Sequence, residues 1–148
     1  MSRSPLLLGT STEREMATRM GQTRMSVGVS ALVTTGLAQV VFGVNKDHDN
    51  STTRVLGRLF GIRNIVLGAW ALGVRDADRE TRRLCYALNA VVDGVDVAVL
   101  LWPLLRREGT PRFSISAAVL GTSALLGWMD LLDASSAGAE APAVTLSA

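Results

Sequence analysis

LCYALNAVVDGVDVAVLLWPLL, residues 84–105, is apolar and long enough for a helix that crosses a bilayer, yet it carries Asp93 and Asp96 three residues apart. A strand of this length would be unusual, whereas a helix satisfies its own backbone hydrogen bonds in lipid. At about 100° per residue, Cys85, Tyr86, Asn89, Asp93 and Asp96 fall on one face, and Trp102 points away. Two acids on one mid-helix face are expensive in hydrocarbon, so that face must turn toward protein or water.

Three further apolar stretches flank this one. They are residues 26–44, SVGVSALVTTGLAQVVFGV, residues 59–74, LFGIRNIVLGAWALGV, and residues 113–132, FSISAAVLGTSALLGWMDLL. The connections are short, which makes sequential helices antiparallel neighbours. The predicted fold is all-α, a four-transmembrane-helix antiparallel bundle over residues 26–132. Residues 1–25 form an N-terminal tail with room for a short amphipathic helix, opened by a capping box of Thr12 with Glu15. Residues 133–148 are small and low in complexity, and are expected to be disordered. A soluble bundle would need a charged stripe on every helix, which the first and last segments lack.

Composition narrows the function classes. The chain has 148 residues, 19% charged and 48% hydrophobic, with a mean hydropathy of +0.29. Its net charge is only +2, and its basic residues do not interleave with aromatics, so nucleic acid is not an expected partner. Cys85 is the sole cysteine and His48 the sole histidine, the latter in the polar segment NKDHDN. No metal and no cofactor are expected, and no signal peptide is read. The N-tail and the 75–83 connection carry Arg3, Arg14, Arg19, Arg24, Arg75, Arg79, Arg82 and Arg83. The opposite side carries Lys46, Arg54, Arg58, Arg106, Arg107 and Arg112. That bias favours cytoplasmic termini.

Arg63 enters the second segment at a depth within side-chain reach of Asp96 or Asp93. Asn64 and Gln39 lie at similar depth. If this single arginine compensates one acid, the other is left protonated beside a like charge, the division of labour used in acid–base catalysis. Asp93, Asp96 and Arg63 are therefore the candidate catalytic residues. Asn64, Asn89, Gln39, Tyr86 and Trp70 are the candidate substrate-binding residues. The preferred reading is a cofactor-independent isomerase, cyclase or epoxide- or acetal-opening enzyme for a lipophilic small molecule. A non-catalytic scaffold subunit and a proton or ion path are the alternatives.

Asp130 reads as interfacial, with Arg24, Arg75 or Arg79 as partners. Trp102 and Trp128 read as interface markers. Gly57, Gly61, Asn64, Gly68 and Ala71, with the GxxxG pair Gly57/Gly61, form one small-residue face, and Ser26, Ser30, Thr34 and Ala38 form another, each suited to internal packing or to a homo-oligomer.

RLFGIRNIVLGAWAL followed by ALNAVVDGVDV resembles a family of small bacterial four-helix membrane proteins of unknown function. Arg58, Gly61, Arg63, Gly68 and Asp93 match its pattern, and Asn64 stands where that pattern has an aspartate. The resemblance spans residues 26–132 and implies an architecture but no activity.

Overall fold

In the computed structural model, residues 9–33, 50–107 and 111–137 are described. They form four helices: α1 (Glu13–Val33), α2 (Ser51–Gly73), α3 (Arg79–Arg106) and α4 (Pro111–Ala137). The all-α bundle expected from the sequence is what forms. Three helices, α2, α3 and α4, are long and apolar enough to cross a membrane. The part of α1 that is described is too polar to join them, and residues 34–44 of the expected first span lie outside the described residues.

The helix starts are written in local chemistry. Thr12 caps α1, its hydroxyl accepting from the Glu15 amide at 3.1 Å, while the Glu15 carboxylate accepts from the Ser11 amide at 3.3 Å. Asn50 caps α2 by accepting from the Thr53 amide at 3.0 Å. Asp78 caps α3 and accepts from both the amide and the hydroxyl of Thr81, at 3.0 and 2.6 Å. Those bonds favour the ionised carboxylate, so its pKa lies below the ordinary aspartate value. At the far end of α3, Pro103 sits in the last turn, and Arg107 ends the helix in a left-handed conformation at φ 55°.

The helices pack as two antiparallel hairpins, α1 with α2 and α3 with α4. In the first hairpin, Gly21 and Gly28 of α1 face Gly68 and Gly61 of α2, seven residues apart on each strand of the pair. A Cβ built on Gly28 would lie 2.6 Å from the Gly61 carbonyl oxygen, and one on Gly61 would lie 2.8 Å from that of Gly28. The pair Gly21/Gly68 repeats the arrangement at 3.0 and 2.7 Å. Backbones this close leave no room for side chains, which is how helices associate where lipid is as apolar as leucine. Gly57 is not part of this contact, since no described residue lies within 4 Å of its Cβ direction. The small-residue face read on the second segment is the buried face of α2 from Gly61 through Asn64 and Gly68 to Ala71, whereas the ridge read on the first segment faces outward at Ser26 and Ser30, and its Thr34 and Ala38 lie outside the described residues.

The apolar core gathers Met16, Ala17, Met20, Ala71, Cys85, Tyr86, Ala90, Trp128 and Leu131. It occupies the end of the bundle that holds the α2–α3 turn, the start of α1 and the end of α4. Trp128 is wholly buried there, stacked against Tyr86 at 6.2 Å, instead of marking an interface. Trp102 is 59% exposed beneath the Arg106 guanidinium.

The N-terminal boundary also moves. Met16, Ala17, Met20, Gly21, Arg24 and Gly28 form the buried face of one continuous α1, so residues 13–25 are part of the bundle.

Candidate functional site

Asp93 is the fifteenth of the 28 residues of α3, about 20 Å from either end and so near mid-depth of a bilayer. Its carboxylate receives both terminal nitrogens of Arg24 from α1, at 2.6 Å (Nη2 to Oδ1) and 3.0 Å (Nη1 to Oδ2). The Trp128 indole of α4 donates a third bond to Oδ2 at 2.9 Å. Both side chains of the ion pair are more than nine-tenths buried. The Arg24 guanidinium also lies 5.9 Å from the Trp128 ring centre. Three helices are thus pinned at one point.

One turn further along α3, Asp96 is gripped in the same forked manner by Arg63 of α2. Nη1 donates to Oδ1 at 3.0 Å, and Nη2 bonds Oδ2. This second pair is more open, with side chains 39% (Arg63) and 28% (Asp96) exposed. The depth arithmetic placed Arg63 within reach of Asp96 or Asp93, and the structure pairs it with Asp96. The expectation of one arginine for two acids does not hold. Arg24, assigned to Asp130 at the membrane surface, is drawn inward because it lies on the same face of α1 as Met20, Gly21 and Gly28. Arg75 bonds Asp76, and Arg79 bonds the Ser136 carbonyl.

The remaining candidates divide. Asn89 is wholly buried one turn before Asp93. It donates to the Cys85 carbonyl at 2.9 Å, and its Oδ1 has no partner among the described residues. Tyr86 donates to Glu13 Oε1 at 3.2 Å, and Glu13 also accepts from Arg82 Nε at 3.0 Å. These bonds close the top of the bundle. Asn64 turns back on its own helix, donating to the Phe60 carbonyl at 2.8 Å. Trp70 packs partly buried against the core. Gln39 and His48 lie outside the described residues. The structure thus brings Asp93, Asp96, Arg63 and Asn89 to one zone, leaves Asn64 and Trp70 apart from the acids, and adds Arg24 and Trp128.

Two shallow, open surface depressions lie at the α2–α3 turn end, and neither is lined by an acid or arginine of the two acid–arginine pairs. One is lined by Arg79, Glu80, Arg83, Leu84, Ala87 and Leu132, the other by residues of early α1 with Arg75. Among the described residues, no three of His, Cys, Asp and Glu gather as metal ligands would. No family model, curated protein or solved structure matches this chain.

Proposed function

We propose that this small membrane-embedded protein is a non-catalytic subunit or scaffold of a membrane assembly. In this reading Arg24–Asp93 locks its two hairpins, and Arg63–Asp96 meets a partner helix. The observation that carries it is the contrast between the pairs. Each acid has its own forked guanidinium, so neither is left without a counter-charge. Only the second pair keeps roughly a third of its surface open at mid-depth. An ion pair facing lipid is costly, and a polar group on a neighbouring helix removes that cost. Exposed Leu56, Leu59, Val66 and Val99 surround it with apolar surface fit for helix contact. A second copy of the chain is one such neighbour.

The same reading assigns the chain to a bacterial inner membrane with both termini cytoplasmic. The supporting feature is the arginine-rich end, where the start of α1, the α2–α3 turn and the end of α4 meet.

The test is site-directed cross-linking in native membranes. Val99→Cys and Val66→Cys, with the buried Cys85 silent, should each give a stoichiometric adduct that Asp96→Leu combined with Arg63→Leu abolishes. A chain that stays monomeric in nanodiscs and yields no adduct at either position contradicts the subunit role.

The acid–base reading survives in a narrower form, favoured by the exposure of Asp96. There Asp96 and Arg63 would handle a lipophilic substrate arriving from the bilayer, and Asp93 would take no part. It requires Asp96→Asn to abolish turnover while Asp93→Asn at low temperature retains it.

A further inference from the structure

At the arginine-rich end, most guanidinium groups are spoken for. Arg14 pairs with Asp76, Arg19 with Glu15, Arg75 with Asp76 and Arg82 with Glu13. Arg79 and Arg83 are different. Each donates to Ser136 at the end of α4, Arg79 to the carbonyl at 3.0 Å and Arg83 to the hydroxyl at 2.8 Å. Neither pairs with a carboxylate among the described residues. An arginine has five N–H donors, so most of theirs remain, and the Arg79 Nε is buried without a partner. Binding the negative end of α4 explains one bond from each side chain and leaves both positive charges without a carboxylate partner among the described residues.

These two arginines line the depression with Leu84, Ala87 and Leu132, and only Glu80 opposes them. Depth completes the argument. Arg83 is ten residues and Arg79 fourteen residues from Asp93 along α3. That places them about 15 and 21 Å from mid-depth, which is the layer between the hydrocarbon boundary and the outer headgroups. Below them, exposed Leu84, Leu88, Val91 and Val95 follow one another down the same helix, at spacings of four, three and four residues. The start of α3 adds its own partial positive charge to the arginines.

We infer that the Arg79–Arg83 depression binds the phosphate of an anionic phospholipid, whose acyl chain lies along Leu84, Leu88, Val91 and Val95. Guanidinium forks suit phosphate oxygens, and basic pockets between helices at the cytoplasmic boundary recognise anionic headgroups. The apolar strip selects a lipid over a free phosphate. This inference does not depend on the subunit role.

The full chain is to be purified in mild detergent and titrated with phosphatidylglycerol, phosphatidylcholine or inorganic phosphate, with bound lipid counted by native mass spectrometry and thermal unfolding followed in parallel. Phosphatidylglycerol should be retained at least tenfold more tightly than phosphatidylcholine and should raise the unfolding temperature. Arg79→Gln with Arg83→Gln should erase that preference. Arg83→Gln alone should reduce it several-fold, which keeps the test decisive if the double variant folds poorly. Ser136→Ala, which removes only a neutral hydroxyl, should preserve it. Equal retention of the two lipids, or a preference that survives in the arginine variants, overturns the site. A thermal shift from inorganic phosphate equal to that from the lipid overturns the lipid as its occupant.

Discussion

Asp93 holds more of this molecule together than any other side chain, because three helices converge on its two oxygens. Asp93→Asn keeps the shape but leaves the buried Arg24 without a counter-charge. The expected loss is about 3–5 kcal/mol, measurable as a shift in unfolding midpoint. Asp96→Asn should cost clearly less, since its pair is partly open. Replacing both buried partners, Arg24→Met with Asp93→Leu, should recover most of the single-variant loss. Recovery stays incomplete because the Trp128 indole is then unsatisfied, a penalty of about 1–3 kcal/mol. Asp78 gives the pH dependence at this scale. Its folded-state pKa is depressed below 3.8 by the Thr81 bonds, so its contribution is present above that value and is lost as pH falls through the lower, folded value. Asp78→Asn keeps the cap and should flatten the acid limb of a stability profile measured from pH 2 to 5.

At the scale of elements, the glycine seam between α1 and α2 sets how closely two helices approach. Gly61→Ala drives a Cβ against a backbone carbonyl that cannot yield, so overpacking of about 1–3 kcal/mol is expected in unfolding experiments. Gly57→Ala, four residues earlier and with no described residue within 4 Å of its Cβ direction, should gain about 0.5–1 kcal/mol from helix propensity. The pair tells apart a seam spaced by seven from a GxxxG contact. The buried face of α2, Gly61 with Asn64, Gly68 and Ala71, was legible as a small-residue face on one helix. Its pairing with Gly21 and Gly28 was not, because a seam exists only when two helices are in register.

The start of α1 fails for a related reason. Hydropathy alone begins the first span at residue 26, because Arg14, Arg19 and Arg24 lower the average before it. Yet Met16, Met20 and Gly21 share a face with Arg24 and Gly28, so a periodicity reading of residues 13–28 carried the answer. The Arg63–Asp96 pair was legible because counting residues from two helix ends needs no partner helix. The capping box at Thr12 and Glu15 was legible for the same reason.

Across the whole molecule, the two hairpins meet mainly through side chains. Arg24–Asp93, Arg63–Asp96, Glu13–Arg82 and Arg14–Asp76 each join one hairpin to the other or to the turn between them. The dense core lies at one end, and the half of the bundle beyond Asp96 exposes Leu101, Trp102, Leu105, Ile115, Val119 and Leu120. Among the described residues, packing is therefore densest at the arginine-rich end, and these apolar side chains at the other end are open to lipid or to neighbours. Arg24→Gln should therefore loosen the hairpins from each other while leaving each one helical. The expected signature is faster amide exchange along the inner faces of α1 and α3 with little change in far-ultraviolet circular dichroism.

The indole of Trp128 has a practical use that follows from where it is bonded. Enclosed in the protein and bonded to a buried carboxylate, it should emit at shorter wavelength than the exposed Trp102, so Trp102→Phe combined with Trp70→Phe isolates a native fluorophore at the crossing point. Its emission colour and quenching then become an optical gauge of whether the two halves of the protein are engaged, readable without labels in living-cell membrane preparations.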